Sequence, residues 1–223
     1  MSEILKTIQL NKYFRETEEF HVIKNINMTI NAGEFVTITG KSGCGKSTLL
    51  YLLSTMDNDY EGEVHINNTK VTGLSQNELA AFRNENIGFI FQFHFLLPEF
   101  TALQNVMMPA LKLAKHSRAE IEERAYAKLK QMQMEDYALK LSGKLSGGQQ
   151  QRIAVARALI NEPKVIMADE PTGNLDSVNT GIVFDIFKEL ASKGNTIIAV
   201  THDNDFAERS DRIIEMKDGE IVQ

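Results

Sequence analysis

With 223 residues and a formal net charge of −6, the chain is long enough to close one sizeable core and carries no overall electrostatic footprint for duplex nucleic acid, so no nucleic-acid partner is expected. Hydrophobic residues make up 43% and charged residues 24%, the balance of a globular protein rather than a disordered or fibrous one. The apolar runs are only a few residues long, far below the roughly 20 that span a bilayer. The single Cys44 excludes an internal disulfide, and the opening MSEILKTIQLNK has neither a basic leader nor an apolar signal core, so a cytosolic location is expected.

In chain order, ILKTIQLNKYF and HVIKNINMTI alternate imperfectly, which suits an antiparallel, half-exposed layer, and Asn31-Ala32-Gly33 supplies a turn before the strand EFVTITG. That strand ends in Gly40 and runs into KSGCGKSTLLYLLS, where Leu49, Leu50 and Leu53 have helical spacing. EVHIN and IGFIFQ are further strands. FTALQNVMMPALKLAK and RAEIEERAYAKLKQM read as successive amphipathic helices. Then come a helix ending near Asn161-Glu162-Pro163, the apolar strand VIMAD, a helix around IVFDIFKELA, the strand TIIAV, and a hairpin RIIEMKDGEIV turning at Asp218-Gly219. Strands alternating with helices predict an α/β fold with a parallel, helix-covered sheet. Neither a repeat nor a linker interrupts it, so one domain over residues 1–223 is expected.

Gly40-Lys41-Ser42-Gly43-Cys44-Gly45-Lys46-Ser47-Thr48 matches the phosphate-loop pattern G-x-x-x-x-G-K-[ST]. Chance gives such a match in about one chain of this length per hundred, and here it also sits between a strand and a helix. Glycines let successive backbone N–H groups curl around phosphate oxygens, and the helix N-terminus adds a field that favours anions. Lys46 is placed to bridge β and γ phosphates, Ser47 has a hydroxyl suited to Mg²⁺, and Thr48 suits the α phosphate or the helix start. Cys44 is either small filler in the loop or a thiol activated by the helix end and a lysine.

Leu145-Ser146-Gly147-Gly148-Gln149 opens a second helix with a hydroxyl and backbone N–H groups converging at its positive end, a second phosphate site. Val165-Ile166-Met167-Ala168-Asp169-Glu170 puts two acids at the end of an apolar strand. Asp169 suits Mg²⁺ through a coordinated water, and Glu170 suits orienting or deprotonating an attacking water.

The phosphate loop followed by LSGGQ resembles the ATP-binding cassette family along essentially the whole chain. The resemblance implies a phosphate-loop (RecA-like) NTPase core with an N-terminal antiparallel β layer and an inserted helical subdomain at about residues 93–160. It implies a dimer that forms head to tail on binding ATP, in which Ser146 and its neighbours close over the nucleotide held by the partner's loop. Gln92 then matches the glutamine that senses Mg²⁺ and the attacking water, and His202 the histidine that contacts the γ phosphate. Asp176, in Asn174-Leu175-Asp176, matches the loop that communicates across the dimer, with Asn at the first position where the family often has Ala. Asp176 equally suits a helix cap. Tyr13 resembles the aromatic that stacks on adenine, and the adjacent Phe14 could take that place.

Six of the twelve phenylalanines lie between Phe82 and Phe100, and core packing is the plainer reading of the cluster, with a docking face as the alternative. Phe89 and Phe91 read as core. Phe93, Phe95 and Phe100 follow Gln92, where the family receives a short cytoplasmic helix of a membrane permease. The implied protein is a cytoplasmic, membrane-peripheral ATPase that drives a separate permease. Its text is most similar to the ATPases of macrolide-export, antimicrobial-peptide and lipoprotein-release systems; a non-transport cassette such as a cell-division regulator is the alternative.

Overall fold

The computed structural model describes residues 2–15 and 19–222. Two long strands, β1 (Glu3–Arg15) and β2 (Glu19–Asn31), pair antiparallel, and β1 also pairs antiparallel with β4 (Glu61–Ile66), which the short β5 (Thr69–Lys70) extends. The second sheet is built on β3 (Phe35–Gly40), with β6 (Ile87–Ile90), β7 (Val165–Asp169), β8 (Thr196–Val200), β9 (Arg212–Lys217) and β10 (Glu220–Ile221), in the order β10-β9-β3-β8-β7-β6. All its neighbours are parallel except the closing hairpin, where Asp218 and Gly219 both take positive φ (49° and 88°), the geometry of a tight two-residue turn.

The central strands read as continuous apolar runs because both faces are covered. In β7, Val165 and Met167 pack toward the antiparallel layer and α1 (Lys46–Leu53), whereas Ile166 and Ala168 pack toward the helical side; β8 divides the same way between Ile198/Val200 and Ile197/Ala199. Between β6 and β7 the chain forms α3 (Ala102–Leu113), α4 (Arg118–Gln131), two short 3-10 turns (Glu135–Tyr137 and Ser142–Lys144) and α5 (Gly147–Leu159). After β7 come α6 (Ser177–Ser192) and the short α7 (Asn204–Glu208).

The expected α/β architecture is observed. The structure adds α2 (Gln76–Asn86), which packs only Leu79 and part of Phe82 against the core, and the short β5 and α7. The sequence reading ran the strand IGFIFQ two residues too far, since β6 stops at Ile90 and Gln92 lies in the bend beyond it.

Candidate nucleotide site

Four parallel strands end at one edge of the central sheet and deliver the site. β3 runs into the phosphate loop, β7 into Asp169-Glu170, β8 toward His202, and β6 toward Gln92. A crevice at the carboxyl ends of parallel strands is where open α/β sheets bind ligands. Here a cavity of about 400 Å³ is walled by Ser42, Gly43, Gly45, Lys46, Ser47 and Thr48 of the loop, together with Val22, Gln92, Glu170 and His202.

The loop's conformation explains its glycines. Gly40, Gly43 and Gly45 have φ of 145°, 81° and 101°, and a Cβ on Gly40 would lie 2.2 Å from the Met216 carbonyl oxygen. Gly45 is the N-cap of α1 and supplies no side-chain cap, so the first-turn N–H groups of that helix are left to an anion. By contrast α2, α3, α4 and α5 each carry a full capping box. Lys46 is buried, and its ammonium donates to the carbonyls of Gly40 (2.8 Å) and Lys41 (3.1 Å). Lys41 itself is exposed.

Cys44 is buried among the core side chains beside Gly40 and does not wall the cavity. Its side chain packs there as a small filler.

At the far end of β7 the two acids part company. Asp169 is buried, with Ser47 Oγ donating to Oδ1 at 2.8 Å and the Tyr51 hydroxyl donating to Oδ2 at 3.0 Å. Burial and the Asp169 carboxylate push the Tyr51 hydroxyl up to about 12, so it stays a protonated donor. Tyr51 belongs to no motif and was missed from the sequence.

The strand register sets Asp169 opposite Val200, so the residues that follow emerge side by side. Glu170 Oε2 lies 2.9 Å from His202 Nδ1 and accepts the His202 backbone N–H at 3.3 Å. Glu170 holds this position with φ of 46°, a left-handed backbone that costs a non-glycine residue about 1–3 kcal/mol and that clusters at functional sites. Gln92 is held by its backbone, whose carbonyl accepts from Asn174 Nδ2 at 3.1 Å; the Asn that departs from the expected Ala thus ties the two loops together.

The signature segment lies elsewhere. Among the described residues none of Leu145 to Gln149 walls the cavity. Ser146 is the exposed N-cap of α5, Gly147 stands in open space, and Gly148 is covered by Asn179. Leu145 packs as a buried core side chain, and the Gln149 side chain turns back to accept the Ser146 N–H at 3.0 Å. Asp176 caps α6, accepting from the Asn179 N–H at 2.8 Å, and so joins the following loop to the signature through Asn179.

Tyr13 stacks on His21, with ring centroids 4.2 Å apart and planes at 15°. It alternates away from buried Leu10 and Lys12, whereas Phe14 shares their side of β1, with the Lys12 ammonium 5.4 Å from its ring centroid. Neither aromatic walls the cavity.

Comparison with known proteins agrees with this geometry. The ABC transporter profile matches residues 23–173. The lipoprotein-releasing system ATP-binding protein LolD 1 of Chlorobium chlorochromatii is 47% identical over the whole chain and 89% of its own length, and LolD of Aquifex aeolicus is 46% identical over the whole chain and 97% of its own. A solved dimeric post-hydrolysis structure of the ATP-binding cassette MJ0796 with ADP and Pi superposes with a TM-score of 0.91 at 41% identity, covering 99% of this chain and 97% of that one. The chain belongs to the ABC transporter family and is an ATP-binding, ATP-hydrolysing transporter subunit.

Proposed function

We propose that two copies of the chain sandwich two ATP molecules, each nucleotide lying between the phosphate loop of one copy and Ser146, Gly147 and Gly148 of the other, and that their closure drives a membrane permease from the cytoplasmic face. One observation carries this reading: the cavity holding the loop, Glu170 and His202 is open to its surroundings, and the exposed Ser146 and Gly147 at the start of α5 lie outside it. The dimeric MJ0796 cassettes offer a precedent for the pairing.

Within each composite site Lys46 leaves its loop carbonyls for the β and γ phosphates, and the uncapped first turn of α1 receives phosphate oxygens. Glu170 orients the attacking water and accepts its proton, and His202 holds the Glu170 carboxylate in place while contacting the γ phosphate. The bond from the γ phosphorus to the bridging oxygen breaks, giving ADP and inorganic phosphate. The oxygen-only donors Ser47 and Asp169, with Gln92 nearby, fit a hard cation such as Mg²⁺, which accepts one or two protein ligands and fills its shell with phosphate and water oxygens. Bound there, Mg²⁺ would neutralise phosphate charge. Tyr13 serves as the adenine platform, with the adjacent Phe14 as the alternative.

Residues 93–160 serve as the inserted helical subdomain that receives the permease. Phe93, Phe95 and Phe100 are 62%, 64% and 40% exposed, and Phe95 borders a groove of about 450 Å³ with Phe89, Phe91, Met56 and Pro109. Exposed aromatics beside an apolar groove fit a short amphipathic helix. Among the described residues no helix is long and apolar enough to cross a membrane, which leaves the crossing to the partner. Its LolD relatives point to lipoprotein release as the transport process.

Glu170→Gln tests the reading. It should keep ATP binding, accumulate an ATP-dependent dimer on size-exclusion chromatography, and slow turnover by about 10²–10⁴, the usual contribution of a general base. Near-normal hydrolysis would remove Glu170 from its role.

A further inference from the structure

Tyr51 stands one helical turn after Ser47 on α1, so both hydroxyls rise from one face of the same helix toward Asp169. Between them they satisfy the two oxygens of a buried carboxylate. A carboxylate held at one oxygen can turn about its last torsion, which is broad and weakly staggered, whereas one held at both has its plane fixed. The tyrosine ring is itself seated: it leans on buried Phe89 at 5.9 Å between centroids, and Phe89 leans on Phe91 at 4.5 Å. The anchor is therefore ordered before any ligand arrives, and it is supplied by a core aromatic contact rather than by the loop.

We propose that Tyr51 is a positioning residue for the cation carboxylate: by holding Asp169 Oδ2 its hydroxyl presents Oδ1 beside Ser47 to Mg²⁺ and its water shell. This rests on the reading of Asp169 given above and extends it to a residue outside every motif. Tyr51 then governs cation affinity but not the grip on the nucleotide's own phosphates, which belongs to the loop and Lys46.

The test is Tyr51→Phe, which keeps the ring and deletes the hydroxyl, with fluorescent mant-ATP binding titrated in EDTA and in rising Mg²⁺. Metal-free binding should be unchanged, while the Mg²⁺ concentration for half-saturation should rise about tenfold, the loss expected for one hydrogen bond to a charged group. The electron paramagnetic resonance line shape of Mn²⁺ bound with a non-hydrolysable ATP analogue should change in the variant. Phe89→Leu, which keeps the hydroxyl but loosens its seat, should shift the Mg²⁺ requirement the same way by less. An unchanged Mg²⁺ requirement in Tyr51→Phe, with or without a lower Tm, overturns the proposal, as does an equal loss of metal-free binding. Asp169→Asn separates the two levels: if it raises the Mg²⁺ requirement and Tyr51→Phe does not, only the role of Tyr51 falls; if Asp169→Asn changes nothing, the reading of Asp169 falls with it.

Discussion

Gly148 sits in the first turn of α5 with ordinary helical backbone, so its lack of a side chain must be explained by packing. A Cβ at this position would lie 2.3 Å from Asn179 Oδ1 and 2.5 Å from Asn179 Cγ. The amide is not free to swing aside, because Asn179 Nδ2 donates to both Asp176 oxygens at 3.0 and 2.9 Å. Two effects compete in Gly148→Ala. Alanine is favoured over glycine in a helix by up to about 1 kcal/mol. Forcing a packed neighbour aside costs about 1–3 kcal/mol, and disturbing the Asn179–Asp176 hydrogen bonds adds about 1 kcal/mol each. The clash wins, and Gly148→Ala should lose about 2–4 kcal/mol, with Tm falling about 2–4 °C for each. On an Asn179→Ala background the obstacle is gone and the same substitution should instead stabilise by up to about 1 kcal/mol. Urea denaturation of the four proteins reads this reversal of sign directly. Because a displaced Asn179 drags Asp176, ATP-driven pairing should weaken in Gly148→Ala while ATP binding to the isolated chain does not. A stabilising Gly148→Ala in the wild-type background would refute the reasoning.

Three further outcomes follow from the site and its surroundings. Tyr13→Ala should weaken ATP binding about tenfold by calorimetry, the scale of one base stacked on an aromatic; a larger loss in Phe14→Ala would move the adenine to Phe14. Phe100→Glu should abolish co-purification with the permease while ATP hydrolysis by the isolated subunit stays within about twofold, since a docking anchor acts only in the complex; intact co-purification would count against that face. Burial, and then the nearby Arg157, hold the His94 imidazole below its ordinary value. The unfolded chain therefore takes up a proton that the folded chain resists, so stability present above about pH 6.5 is lost as pH falls. Between pH 7 and 5.5 the wild-type Tm should drop more than that of His94→Gln, and equal slopes would remove His94 from the effect.

The central strands, the phosphate loop and the start of α5 were legible because their signals are local: a strand buried on both faces is an apolar run, and each motif is contiguous. What the motifs did not reveal is which of their members face outward. Leu145 and Cys44 stand inside a motif yet pack in the core, and Gln149 closes a capping box. The pair Tyr13 and Phe14 differs by one position, and only the pairing of β1 decides which ring shares a face with Lys12. Tyr51 was invisible because a lone aromatic on a helix reads as core until the fold brings Asp169 to it. The helix α2 escaped because its apolar face is thin, although Ser75 and Glu78 form a capping box that a local search would have caught.

Shared sites can be tested by mixing two inactive parents. Lys46→Ala disables the phosphate loop of its own copy, and Ser146→Arg disables the face offered to a partner. Each homodimer has two broken sites, but a mixed dimer has one site with both lesions and one intact. Equal mixing should therefore restore ATP hydrolysis to about a quarter of the wild-type rate, since half the dimers are mixed and each has one working site of two. A rate that stays at the sum of the two parents, with mixed dimers demonstrably formed, would contradict the account that each nucleotide is gripped by two chains.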